Sequence, residues 1–129
     1  MSLRQWWRST VGCAPTRLPI KEVITYSLHN VGDVGTSYVQ RSLQNMLNTY
    51  SGSFVDLERD LRSNAVNYWN YYVSFLGWHE LRAAATVTLL KHERKARITL
   101  CVSQDSRRIM SDFSFRLDIP DKLLPPTWS

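Results

Sequence analysis

The sequence has two cysteines in 129 residues, and no CxxC, CxxH or histidine cluster lies near either. Cys13 and Cys101 therefore predict neither a zinc site nor a disulfide scaffold, and they read as reduced thiols of an intracellular protein. No apolar run is long enough to cross a bilayer. The N-terminus offers Arg4, Trp6, Trp7 and Arg8 where a signal peptide needs an unbroken apolar stretch, so the expectation is a protein that is neither secreted by signal peptide nor membrane-spanning. Glycine is scarce and forms no phosphate loop: in Gly32-Asp33-Val34-Gly35-Thr36-Ser37 only two residues separate the glycines and no lysine follows. Metal-ligand spacing is missing as well, because His29, His79 and His92 fall in three separate segments. No Ser, Cys or Lys occupies a nucleophile motif, so the reading is no enzyme, no catalytic residue, no metal, no cofactor and no small-molecule substrate.

What is abundant is aromatic. Asn67 to Trp78 holds six rings in twelve residues, and each ring brings on the order of 150–250 Å² of surface to a core or a contact. Base is also in excess, with a net charge of +5. Residues 1–21 carry Arg4, Arg8, Arg17 and Lys21 with no acid. Residues 82–108 carry Arg82, Lys91, Arg94, Lys95, Arg97, Arg107 and Arg108 against Glu93 and Asp105. Clustered cations attract nucleic-acid phosphates or anionic lipid headgroups.

The chain divides into an extended basic and aromatic arm (1–19), one domain (20–119) and a Pro-rich tail (120–129) expected to be irregular and exposed. Ile20, Val23, Ile24, Thr25 and Tyr26 predict a first strand over 20–28, broken by Gly32 and Gly35. Thr36 or Ser37 then reads as the N-cap of a helix over 37–50, on the three- and four-residue spacing of Val39, Leu43, Met46, Leu47 and Tyr50. Phe54, Leu57 and Leu61 predict a short helix over 54–64 after Ser51-Gly52-Ser53. The aromatic run fits either a helix continuing to Gly77 or a strand, and its Tyr, Trp, Val and Phe content favours the strand. Ala84–Leu90, Ala96–Ser103 and Ile109–Ile119 read as an antiparallel meander, with Phe113, Phe115, Leu117 and Ile119 alternating with polar residues. The predicted class is α+β: a small antiparallel sheet with a C-terminal three-stranded meander packed by one or two amphipathic helices.

Two groups are candidate sites. Arg4, Trp6, Trp7 and Arg8 pair interfacial rings with cations, so the arm serves as a membrane foot, folds over its own core, or packs on a neighbouring copy. Lys91, Arg94, Lys95 and Arg97, with Arg107 and Arg108, are candidates for polyanion binding. The connectors 91–95 and 104–108 project from opposite ends of the predicted sheet and cannot all form one small patch. Pro125-Pro126-Thr127-Trp128 ends in Trp where a Pro-Pro-x-Tyr recruitment motif has Tyr, and is not assigned as one.

The order of parts, with Met46-Leu47-Asn48-Thr49-Tyr50-Ser51-Gly52-Ser53-Phe54 and then Tyr71-Tyr72-Val73-Ser74-Phe75-Leu76-Gly77, resembles the matrix proteins of rhabdoviruses over residues 20–90. The resemblance implies a viral structural protein of the virion that self-associates beneath an envelope and condenses a ribonucleoprotein. Its partners would be itself, an anionic lipid surface, and ribonucleoprotein or RNA, and its place the host-cell interior, at a peripheral membrane or in the virion. A different class of function remains beside it: a small nucleic-acid-binding protein, such as a viral suppressor of RNA silencing that reads duplex shape.

Overall fold

The computed structural model describes residues 20–77, 81–104 and 109–128, apart from the side chains of 20–30 and of Ile109. The arm, including Arg4, Trp6, Trp7 and Arg8, lies outside the described residues, as do Arg107, Arg108 and His79. Two helices, Ile20–Asn48 (α1) and Phe54–Leu76 (α2), precede three strands, Leu81–Leu90 (β1), Lys95–Gln104 (β2) and Ile109–Asp118 (β3). The strands form an antiparallel sheet in the order β1-β2-β3, and both helices pack on one of its faces. This is the α+β class with a C-terminal meander.

The first predicted strand is instead the beginning of α1, which corrects the reading of residues 20–28. A stripe of Val31, Gly35, Val39, Leu43 and Leu47 recurs every four residues, and Ile20, Ile24 and Leu28 repeat that spacing toward the N-terminus in sequence, joined to Val31 by a step of three. Helical period thus outweighs the β-branched composition, since β propensity depends on context. Gly32 and Gly35 do not break the element: they let it approach its neighbours. A Cβ on Gly32 would overlap the Phe113 ring, and one on Gly35 would stand 2.6 Å from Trp69 and 2.9 Å from Tyr72. Nor do Thr36 and Ser37 cap a helix; the Ser37 hydroxyl donates back to the Asp33 carbonyl at 3.1 Å in mid-helix.

The aromatic run is helical too, and the strand assignment is corrected. Leu57, Leu61, Ala65, Trp69 and Val73 form one buried stripe at four-residue steps from the start of α2, and no glycine interrupts it before Gly77. Gly77, at φ 77°, takes the left-handed conformation that ends the helix, its N–H reaching the Ser74 carbonyl at 3.0 Å. Ser53 sits at the N-cap, its hydroxyl donating to Asp56 at 3.1 Å. Trp69 is fully buried, and its indole N–H donates to the Leu81 carbonyl at 3.4 Å, tying α2 to β1.

The meander runs as the alternation predicts. Ala96, Ile98, Leu100 and Val102 of β2 and Phe113, Phe115 and Leu117 of β3 turn inward against Leu43, Leu47, Leu57 and Leu61. The free edge of β3 is closed by α1. Gln44 donates its amide to the Asp118 carbonyl and accepts from the Asp118 N–H, both at 2.9 Å, while Gln40 donates to the Arg116 carbonyl at 3.2 Å. Glutamines four residues apart on a helix thereby occupy groups that an exposed edge would offer to another chain. The tail is not loose: Asp121–Leu123 and Pro126–Trp128 are 3-10 turns, Leu123 and Leu124 pack on the core, and the Trp128 ring meets Phe54 edge-on at 5.1 Å.

Candidate interaction surfaces

Strand alternation sends every second residue of the meander away from the helices, and the register aligns them in rows. Leu90, Lys95 and Asp118 form one row; Thr88, Arg97 and Arg116 the next; then Thr86, Thr99 and Ser114; then Ala84, Cys101 and Asp112. The outer face is rich in hydroxyl and guanidinium groups and carries no aromatic ring among the described residues. The Thr99 and Ser114 hydroxyls bond to each other at 2.9 Å.

Arg97 and Arg116 stand directly opposite on adjacent strands. Like charges in that position repel. Arg116 is balanced by Glu93 at 2.9 Å, whereas Arg97 has no ion-pair partner among the described residues. Acids from β3 and the turn after it come alongside the predicted bases: Lys95 lies 3.7 Å from Asp118, and Arg94 3.8 Å from Asp121. All four side chains are substantially exposed, so these contacts screen more than they bind. Among the described residues the cationic end of the sheet thus keeps Lys91 and Arg97 without an ion pair and adds Arg116, held by Glu93, which a count along 82–108 misses. Alternation marks Arg116 as outward, but only the β2–β3 register puts it beside Arg97. The β1–β2 turn lies at one end of the sheet and the paired residues Gln104 and Ile109 at the other, and the predicted connector 105–108 between them lies outside the described residues.

The second surface is on the outward side of the helical hairpin. Tyr38 of α1 lies against Tyr68, Tyr71 and Tyr72 of α2: its ring stacks on Tyr71 at 6.3 Å and 18° and on Tyr72 at 5.7 Å and 26°, and meets Tyr68 edge-on at 6.5 Å. Within this stack Tyr71 is 65% exposed, and beyond it Phe75 is 78% exposed and Val34 61%. A strand reading of the aromatic run hides this surface, because only helical spacing puts Tyr68, Tyr71 and Phe75 on one flank.

The remaining polar groups are dispersed. Among the described residues no three His, Cys, Asp or Glu side chains gather as a metal site, and no helix is long and apolar enough to cross a membrane. His92 sits on the exposed β1–β2 turn. Burial, with a hydrogen bond to Asp112, pushes the Cys101 thiol up from its ordinary range, away from the thiolate a nucleophile requires. Two shallow grooves, of about 360 Å³ between α2 and the start of β1 and about 330 Å³ beside Arg94 and Trp128, are lined by no histidine among the described residues. Comparison with known protein families, with curated proteins and with solved structures finds no match to this chain.

Proposed function

We propose that the protein is a non-enzymatic, matrix-like viral structural protein that self-associates and holds the RNA of a ribonucleoprotein against the open face of its sheet. The observation that carries this reading is the Arg97–Arg116 pair. The two stand opposite in the register, Arg116 already held by Glu93, and an anion placed over the pair would gain charge-assisted hydrogen bonds from Arg97 and share Arg116 with that acid. Lys91, Arg94 and Lys95 at the same end extend the cationic area, and Thr88, Thr99 and Ser114 add hydroxyls suited to phosphate and sugar oxygens. Arg4, Trp6, Trp7 and Arg8 would bring the same molecule to an anionic membrane or a neighbouring copy, and the protein would work inside the host cell, at a peripheral membrane or in the virion.

A duplex-RNA-binding role, as in a silencing suppressor, is the second reading, and one observation favours it. Among the described residues the outer face has no ring on which an unpaired base can stack, so it suits a duplex backbone better than a single strand. Binding to duplex RNA and co-sedimentation with anionic or neutral vesicles, each across a salt series, test both readings. Joint Arg94→Ala, Lys95→Ala and Arg97→Ala substitution is expected to flatten the RNA salt slope by roughly 2–3. Joint Trp6→Ala and Trp7→Ala substitution is expected to abolish only vesicle binding. An unchanged RNA slope in the triple variant would remove the sheet face as the binding surface.

A further inference from the structure

We infer that the outward aromatic face of the α1–α2 hairpin is an isologous docking surface for a second copy of this chain; the inference rests on the self-associating reading above and assigns it a place and a symmetry. The face is built before any partner arrives. Tyr38 is held by its stacks on Tyr71 and Tyr72, so the rings that would be buried lose little freedom on docking. Around them stand Ser37, Asn67 and Ser74, which carry no charge. Arg41 is the single cation of α1 among the described side chains, too little footing for a polyanion and short of the basic border an anionic membrane requires. A second copy does complement the face. On α1, Asp33 and Arg41 lie at either end of the stretch holding Val34, Ser37 and Tyr38, all on exposed or half-exposed positions. A two-fold axis passing near Ser37 sets the Asp33 of each copy, which also makes a contact within its own chain, beside the Arg41 of the other.

Area supports the same occupant. Val34, Tyr71 and Phe75 expose on the order of 400 Å² together, about half of the roughly 800 Å² per partner of a standard interface. The helix itself supplies further length. Tyr38 faces Tyr68, Tyr71 and Tyr72 in an antiparallel hairpin, so α2 ends at about the level of Val31. Residues 20–30 of α1 continue past that level for about 16 Å. The dimer is then a four-helix layer between two sheets, both cationic faces turned outward.

Sedimentation velocity of the full chain from about 1 to 200 µM reads the association directly. Wild type is expected to show a reversible monomer–dimer equilibrium that joint Tyr71→Arg and Phe75→Arg substitution weakens at least about 100-fold, with the far-ultraviolet spectrum retained. Asp33→Arg and Arg41→Asp are each expected to weaken it about 10-fold and together to restore it within about 3-fold. As a check independent of those substitutions, Ser37→Cys in a Cys13→Ser, Cys101→Ser background is expected to cross-link to itself through a short bismaleimide, while Ser63→Cys is not. A monomer at every concentration overturns the inference, as does a dimer indifferent to the arginine substitutions. So does a dimer lost on joint Trp6→Ala and Trp7→Ala substitution but kept with Tyr71→Arg and Phe75→Arg, which would assign the contact to the arm. Duplex-RNA affinity is measured on the same variants: an unchanged RNA salt slope with the dimer lost leaves the sheet-face reading standing, so the two can fail separately.

Discussion

Gly32→Ala opposes two effects whose signs differ, and the packing of α1 decides between them. In an open helix the change stabilises by about 1 kcal/mol, because alanine restricts the unfolded chain and glycine does not. Here the new methyl falls inside the Phe113 ring, which is 7% exposed and held between α1 and the sheet. Moving a packed ring off its position costs roughly 1–3 kcal/mol, so the net expectation is a loss of up to about 2 kcal/mol, centred near 1, and a fall in Tm of roughly 3–6 °C. Urea denaturation followed by tryptophan fluorescence and circular dichroism measures it. Phe113→Leu alone is expected to destabilise by about 1–2 kcal/mol, yet combined with Gly32→Ala the total should fall short of the sum by about 1 kcal/mol, since the smaller side chain makes room. A Gly32→Ala variant about 1 kcal/mol more stable than wild type would refute the reasoning, for it would mean that α1 does not lie against β3 at this residue.

Other consequences are equally direct. Tyr50 donates its phenol to Asp60, and burial together with that bond pushes its pKa up to about 12 from 10.0. Below pH 10 both folded and unfolded chains keep the proton and the bond contributes in full; between pH 10 and about 12 only the unfolded chain ionises, so stability falls as pH rises across that window. Tyr50→Phe is expected to lose about 1 kcal/mol at pH 8 and to remove that alkaline decline, read from urea titrations at pH 8 and 11. Gln44→Ala removes both bonds to Asp118, for a loss of about 1–2 kcal/mol, and uncovers the β3 edge, so thioflavin-positive aggregation on mild heating should quicken. Arg94 occupies the left-handed region at φ 55° in the β1–β2 turn; Arg94→Gly is expected to raise stability by about 1 kcal/mol in thermal melts, the exposed contact with Asp121 contributing little.

The legible part of the sequence was the part in which composition and period agree. Phe113, Phe115 and Leu117 are aromatic or apolar at every second position, and the three strands and their antiparallel order follow. Across 20–28 and 66–76 the two signals conflict: β-branched and aromatic residues sit at helical spacing, and the four-residue stripe prevails because it continues into Val39–Leu47 on one side and from Leu57–Leu61 on the other. Gly32 and Gly35 misdirect for a related reason, since the rings that require them, Phe113 and Trp69, are distant in sequence. The basic segment 91–97 was readable as a surface. Its partial neutralisation by Asp118 and Asp121, and its reinforcement by Arg116, depend on strand register, which local sequence does not encode.

Arginine footprinting tests the two-sided account most directly. Phenylglyoxal modification of the full chain, with and without duplex RNA and read by peptide mass spectrometry, compares Arg97 and Arg116 on the sheet with Arg41, Arg59 and Arg62 on the helices. RNA is predicted to shield Arg97 and Arg116 and to leave the helical arginines as reactive as before. Shielding of Arg41, Arg59 and Arg62 with Arg97 still reactive would contradict it.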